Sequence, residues 1–310
     1  MKRIILTTTI LLLTISSVFS QTSEVGKKYI YEFRDGTTII GTYDRSEEGN
    51  IYIKDLEGEE VYIPKVMVAQ IHEVTDDNIK NGEYWFPNLH DSRYFFSPSA
   101  FGLEQGEGYF GHSYWALWQT QYGITDDFSI GAGVIGWMPI TINAKYSFNI
   151  KNDINAAMGW FYVGDLLNLS EINDEMGSLI NMPYAVVTKG TRENNVTLGM
   201  GYNLSSPFKD IREDNELETE SLLSEERLVL NVGGTFRTAR RFSLVFEGWI
   251  FNGDGEFEFM GGPGIRYFRK INRVTAKNGA GAKTFDLQFL RIPGMTGMQF
   301  FPMFGASQKF

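Results

Sequence analysis

The chain of 310 residues contains no cysteine, only three histidines, and beyond its first twenty positions no apolar run of helical-span length. The absence of cysteine excludes a disulfide framework, a thiolate metal site and a lipid-attachment cysteine behind a leader. His72, His90 and His112 fall in no ligand spacing of the HExxH kind, so neither a metal nor a cofactor is expected. Basic residues are also scarce, 28 Lys and Arg against 38 Asp and Glu. That balance argues against nucleic acid, whose phosphates demand a basic surface. A helical span needs about 20 apolar residues, so a mature chain without one is either soluble or crosses a membrane as a closed barrel.

What is present begins with a leader. Met1-Lys2-Arg3 is a short basic stretch, Ile4 to Leu13 is mostly apolar, and Val18-Phe19-Ser20 precedes a cleavage point before Gln21. Residues 1–20 are expected to be removed, which takes the formal charge from −10 to −12 with the loss of Lys2 and Arg3. The remainder, with 33 glycines, 24 phenylalanines, 15 tyrosines and 6 tryptophans, favours strands and turns.

Period-2 alternation dominates the larger part of the chain. Ile140, Ile142, Ala144, Tyr146 and Phe148 oppose Thr141, Asn143, Lys145 and Ser147, as in a strand with one apolar and one polar side. Val196, Leu198, Met200, Tyr202 and Leu204 oppose Thr197, Gly199, Gly201 and Asn203 in the same way. Segments near 93–101, 109–124, 128–138, 140–149, 154–164, 179–189, 195–204, 227–237, 242–251, 256–268, 283–291 and 300–310 give twelve strands. If 93–101 is the first, connections after even-numbered strands are mostly tight, whereas Asp165 to Ser178 and Ser205 to Glu226 after odd-numbered ones are long and polar. Short turns on one rim and long loops on the other characterise transmembrane barrels. Trp115, Trp118, Tyr122, Trp137, Trp160, Tyr162, Trp249 and Phe251 near strand ends are candidates for interfacial girdles. Lys145, Glu247, Arg266 and Asp286 interrupt apolar stretches where lipid exposure would be penalised, so they are expected to face the lumen, lining a pore or forming a plugging ion-pair network.

Residues 27–74 read as a separate unit of five short strands, a small SH3-like or Sm-like β module, followed by a polar linker at 75–91 containing Pro87 and a barrel at 92–310. Arg93-Tyr94-Phe95-Phe96-Ser97-Pro98-Ser99-Ala100-Phe101, Gly106-Glu107-Gly108-Tyr109 and Tyr122-Gly123-Ile124-Thr125-Asp126-Asp127-Phe128-Ser129-Ile130-Gly131 resemble uncharacterised outer-membrane β-barrel proteins of Gram-negative envelopes. Phe310, with Gly305 five positions earlier, resembles the signal read by the barrel assembly machinery, from which Gln308 departs. The resemblance covers about 92–310. It implies insertion into outer-membrane lipid. Because the first barrel strand must start in the periplasm, the N-terminal module is expected there, in contact with peptidoglycan, a partner protein or the barrel mouth.

The expected fold is therefore all-β, an antiparallel transmembrane barrel of about twelve strands behind a small β module. The leading functional expectation is porin-like passage or uptake of small solutes. A non-conducting barrel that anchors the module or displays its long loops is the alternative, followed by a lipid hydrolase and a soluble exported β-sandwich. No catalytic residues are expected. His112 and Ser113 are adjacent, and adjacent strand positions point to opposite faces. Gly261-Gly262-Pro263-Gly264 lacks the lysine and helix start of a phosphate loop and fits bulges or close strand packing.

Overall fold

A computed structural model describes residues 23–310 except 36, 75, 77–78, 114–115, 137–138, 165–177, 205–226, 253–256, 271–281 and 293–299. The expected leader, Trp115, Trp137 and nearly all of the two long connections lie outside the described residues. The chain divides into two compact units, Met1–Tyr84 and Trp85–Phe310, with the division inside the stretch expected to be a linker.

The first unit contains β1 (Lys28–Phe33), β2 (Thr38–Glu47), β3 (Asn50–Lys54), β4 (Glu60–Pro64) and β5 (Val68–Glu73), close to the five expected strands. They form one antiparallel sheet in the order β4-β3-β2-β1-β5, with a single 3-10 turn at Lys65–Met67 before β5. The β2–β3 hairpin turns on Glu48 and Gly49, both at positive φ, as a two-residue hairpin loop of the tightest kind requires. Alternate residues Tyr29 and Tyr31, Ile51 and Ile53, with Ile63, make the buried core. A small hairpin, β6 (Ile79–Lys80) with β7 (Glu83–Tyr84), ends the unit, so part of the expected linker is structured.

The second unit is a closed antiparallel barrel of twelve strands: β8 (Gly108–Ser113), β9 (Leu117–Gly123), β10 (Phe128–Ile135), β11 (Ile140–Lys151), β12 (Ile154–Gly164), β13 (Ser178–Gly190), β14 (Asn194–Asn203), β15 (Arg227–Ala239), β16 (Phe242–Asn252), β17 (Phe257–Lys270), β18 (Lys283–Leu290) and β19 (Phe301–Lys309). Each pairs with its sequence neighbour, and β19 closes on β8 with Gly305 opposite Ser113 and Lys309 opposite Tyr109. Closure leaves no sheet edge, which is the condition for strands to cross a bilayer. Four of the five connections on the rim where the chain ends span two to four residues.

Inside and outside follow the period of two. Phe110, Trp118, Tyr146, Met158, Trp160, Leu198, Leu244, Phe285 and Phe304 are exposed outward, while Ser129, Lys145, Thr188, Thr197, Thr235, Glu247, Arg266 and Asp286 are buried inward. An apolar exterior around a polar interior is the inverse of a soluble protein and the pattern of a transmembrane barrel.

Three expectations need correction. Residues 93–101 are no wall strand; they lie within the barrel, where Arg93 bridges Pro98 and the Tyr94 amide donates to Ser97 in a tight turn. The stretch lacks polar–apolar alternation, carrying three consecutive aromatics, and Pro98 removes a ladder donor. Residues 109–124 instead form two strands, β8 and β9, because a crossing needs only about 9–11 residues. The two changes cancel, so both the count of twelve and the assignment of the rims stand. Trp249 and Phe251 belong to no girdle, since both are buried on the inward face of β16 together with Ser243, Val245 and Glu247.

Two outcomes follow. Leu198, 65% exposed on the outer face, should not tolerate arginine, at a cost of about 2–4 kcal/mol in mid-membrane. Leu198→Arg should therefore deplete the species whose gel mobility shifts on boiling, whereas Asn143→Arg, on the inner face, should retain it; equal behaviour would reverse the facing. In the first unit, burial holds the imidazole pKa of His72 below its ordinary value. Its neutral form is then favoured by folding, so resistance of this unit to proteolysis should be flat above about pH 6.5 and fall as pH drops below it. His72→Gln should flatten that fall.

Candidate functional site in the barrel lumen

A segment of irregular backbone at membrane depth brings N–H and C=O groups that must be paired inside the protein. Residues 88–103 form such a segment, and most of their side chains are buried, Ser97 and Ser99 completely. The inward residues of the wall supply the partners.

Lys145 on β11, 1% exposed, donates its ammonium to the carbonyls of Ser92 at 3.0 Å, Ser99 at 3.2 Å and Phe101 at 2.8 Å. These use all three donors of the ammonium. Arg266 on β17 forms a two-pronged pair with Asp286 on β18, at 2.9 Å through both Nε and Nη2. Its remaining capacity goes to the segment, to the carbonyls of His90 at 2.7 Å, Arg93 at 3.3 Å and Tyr94. Glu247 on β16 accepts from the amides of Phe96 at 2.8 Å and Ser97 at 2.9 Å, and its other oxygen accepts from the Trp249 indole at 3.1 Å. All four of these charged side chains thus lie within the barrel. Three bind the segment directly, and Asp286 acts through Arg266.

Sequence reasoning missed the rest of the network. The Tyr94 hydroxyl lies 2.7 Å from Asn195 Oδ1 and 2.6 Å from Thr197 Oγ1 on β14, and Thr188 Oγ1 on β13 accepts from the Ala100 amide at 2.8 Å. His90 lies with Nδ1 3.1 Å from Ser307 Oγ and Nε2 3.3 Å from the Ala282 carbonyl. Towards the tight-turn rim, Arg192 pairs with buried Asp91, and Asn88 binds both Glu193 and the Arg192 carbonyl. Lys309 and Glu107 form a further buried ion pair. One signal could have exposed the segment: a run rich in small polar residues and adjacent aromatics, interrupted by Pro98, placed just before the first strand of a barrel.

Glycines in the wall make room for its rings. A Cβ on Gly233 would meet the Tyr94 ring at 2.5 Å and no backbone within the nearest contacts, and one on Gly264 would meet the Phe95 ring at 2.6 Å. Gly261 to Gly264 therefore sit in the β17 wall, where Gly262 approaches the Phe289 carbonyl closely.

Beyond Phe96 the lumen changes character. The other half, towards the long connections, holds most of a cavity of about 350 Å³ lined mainly by apolar side chains, among them Leu117, Ile135, Phe161, Val163, Ile180, Met182, Val229, Trp249, Phe251, Met260 and Leu290, with Asn143, Asn203 and Asn231; Arg93, Lys145 and Glu247 of the segment's network and Arg227 also reach it. Phe96 forms its floor, packed edge-on to Phe161 at 5.6 Å and tilted on Trp249 at 6.1 Å.

The other singled-out residues have plainer positions. His112 packs its ring on Trp118 at 4.9 Å on the outer face, while Ser113 is buried inward, so the two do not form a proton-transfer pair. Gly305 lies on β19 opposite Ser113. Phe310 exchanges main-chain hydrogen bonds with Gly108 at 2.9 and 3.1 Å, and its ring lies over that glycine.

No family model matches the chain, and no curated protein matches it. Among solved structures it is similar to the NanC porin in a rhombohedral crystal form, at 9% identity and a TM-score of 0.39, over 66% of this chain and 97% of that one. It is also similar to Salmonella typhi OmpF in complex with daunomycin, at 6% identity and a TM-score of 0.32, over 92% of this chain and 95% of that one.

The absence of native cysteine makes a single engineered thiol a clean reporter of the internal segment. In a Ser97→Cys background, maleimide labelling of the folded barrel should be slow. Glu247→Leu orphans two buried amides, each costing about 1–3 kcal/mol, and should speed labelling by roughly tenfold or more. Gly233→Val, which displaces Tyr94, should do likewise. Unchanged rates in both would show that these contacts do not hold the segment.

Proposed function

We propose that this chain is an outer-membrane β-barrel of a Gram-negative envelope that passes small solutes through its lumen, and that its own residues 88–103 are the gate. The observation that carries the reading is the way the segment is held. It occupies the tight-turn half of the lumen through hydrogen bonds to Lys145, Glu247 and Arg266, while the wall closes independently through the β19–β8 ladder. Removing the segment breaks no wall pairing, and water can replace each polar contact that it loses. A plug of this kind is releasable in a way that a packed apolar core is not.

The remaining parts fit this reading. The first twenty residues act as the export leader, and Gly305 with Phe310 serves as the signal for the barrel assembly machinery. The N-terminal module lies in the periplasm, because the first wall strand starts from the tight-turn rim. It precedes the plug directly in sequence, so a periplasmic partner or peptidoglycan that holds the module has a covalent handle on the gate. The reading assigns no catalysis.

The same closure favours a second reading, a permanently shut barrel that anchors the module. Planar-bilayer recording separates the two. The intact protein should be silent or open rarely, and a variant lacking residues 88–103, still heat-modifiable on gels, should conduct steadily. Gly233→Val should raise the frequency of opening. A plug-less barrel that is folded but silent would leave the anchor, and an intact barrel that conducts as freely as the plug-less one would remove the gate.

A further inference from the structure

The lumen of a channel for hydrophilic solutes is polar along its length. Here the half nearest the long connections is, apart from Arg227 and a few amides, apolar: Met182, Val229, Trp249 and Met260 project inward from strands whose other halves carry Thr188, Thr235, Glu247 and Arg266 on the same face. Phe96 packs among the apolar residues of this half, against Phe161 and Trp249 and beside Met182 and Val229. The cavity beside Phe96, about 350 Å³, is within the range of small-molecule sites, which are mostly apolar with a few placed polar groups.

One such polar group is defined. Asn231, 7% exposed and on the cavity wall, donates Nδ2 to the Gly248 carbonyl at 3.0 Å, which fixes the amide. Its Oδ1 is buried without a hydrogen-bond partner among the described residues. A buried acceptor left unpaired costs about 1–3 kcal/mol, a penalty that a ligand donor would relieve. The lining is mainly apolar, and among its charged members Arg93, Lys145 and Glu247 already hold the internal segment, so an uncharged ligand leaves those contacts intact.

We propose that this cavity binds a small, uncharged, mainly apolar molecule bearing one hydrogen-bond donor, with the donor on Asn231 and the apolar body among Phe161, Met182, Val229 and Trp249. The inference deepens the gated-passage reading, because the molecule held above the plug is then the solute that the gate admits, and it rests on that reading for this consequence. Ring edges and a thioether around the body suit an aromatic or unsaturated framework.

Binding is tested in the intact, plugged barrel in nanodiscs, with empty nanodiscs as the partition blank. The fluorescent probe is N-phenylnaphthylamine, which carries one N–H, and its partner is phenylnaphthalene, which carries none. The amine should saturate one site per barrel and bind about tenfold more tightly than the hydrocarbon, the ratio expected of one satisfied buried acceptor. Asn231→Leu should abolish that preference. Met182→Phe combined with Val229→Phe should fill the cavity and abolish saturable binding of both, with the gel shift on boiling confirming assembly. No saturation above the blank, or equal saturation in the filled variant, would overturn the site; a preference that survives Asn231→Leu would overturn the donor contact. Saturable binding with a silent plug-less barrel would defeat the gate and keep the site, whereas plug-dependent conduction without saturable binding would do the reverse.

Discussion

The contents of the larger unit are organised by the pairing of main-chain groups in a segment that has no ladder of its own. Residues 88–103 lie within a transmembrane barrel, and their amides and carbonyls are met by side chains from the wall. The charges on those side chains are in turn tolerable because the segment and neighbouring strands satisfy them. Arg266 is held by Asp286, and Lys145 is surrounded by three carbonyls. An ion removed from water at this depth is stable only when its hydrogen-bonding capacity is used. Wall charge and segment backbone are therefore two halves of one arrangement, each supplying the hydrogen-bond partners that water would otherwise have to supply.

That arrangement divides the lumen into two tiers with different chemistry. The lower tier is polar, filled and joined in sequence to the N-terminal unit through Trp85. The upper tier is mainly apolar and bounds most of a cavity of about 350 Å³, with Phe96 packed on Phe161 and Trp249 in its wall. Because strand side chains alternate with a period of two, the inward face of one strand can be polar at one end and apolar at the other without disturbing its outer face. On β16, Ser243, Val245 and Glu247 give way to Trp249 and Phe251, while Leu244 and Phe246 remain on the outside. The barrel is a uniform apolar belt to lipid and a graded surface to its contents.

Much of this was legible before any coordinates. Alternation placed the strands from 128 onward, because one side of each must be apolar towards lipid and the period of two then decides every other side chain. It identified Lys145, Glu247, Arg266 and Asp286 as residues that belong away from lipid, since charge there is costly. The segment 93–101 reads as a strand because its aromatic content has strand propensity; its lack of alternation and its Pro98 are the contrary signs. Trp249 reads as a girdle residue because aromatics near strand ends are common there, and only facing parity with Glu247 puts it inside.

By itself, then, the sequence determined the all-β class, the two units, the strands from 128 onward and the inward side of Lys145, Glu247, Arg266 and Asp286, because these depend on local period and on the cost of exposing charge to lipid. Only the tertiary structure decided what those inward charges hold. Lys145 meets Ser92 and Phe101, and Arg266 meets His90, across separations of 44 to 176 residues. No local pattern encodes such contacts; they exist because closing β19 on β8 encloses a space, and that space must be filled by groups that complement its wall.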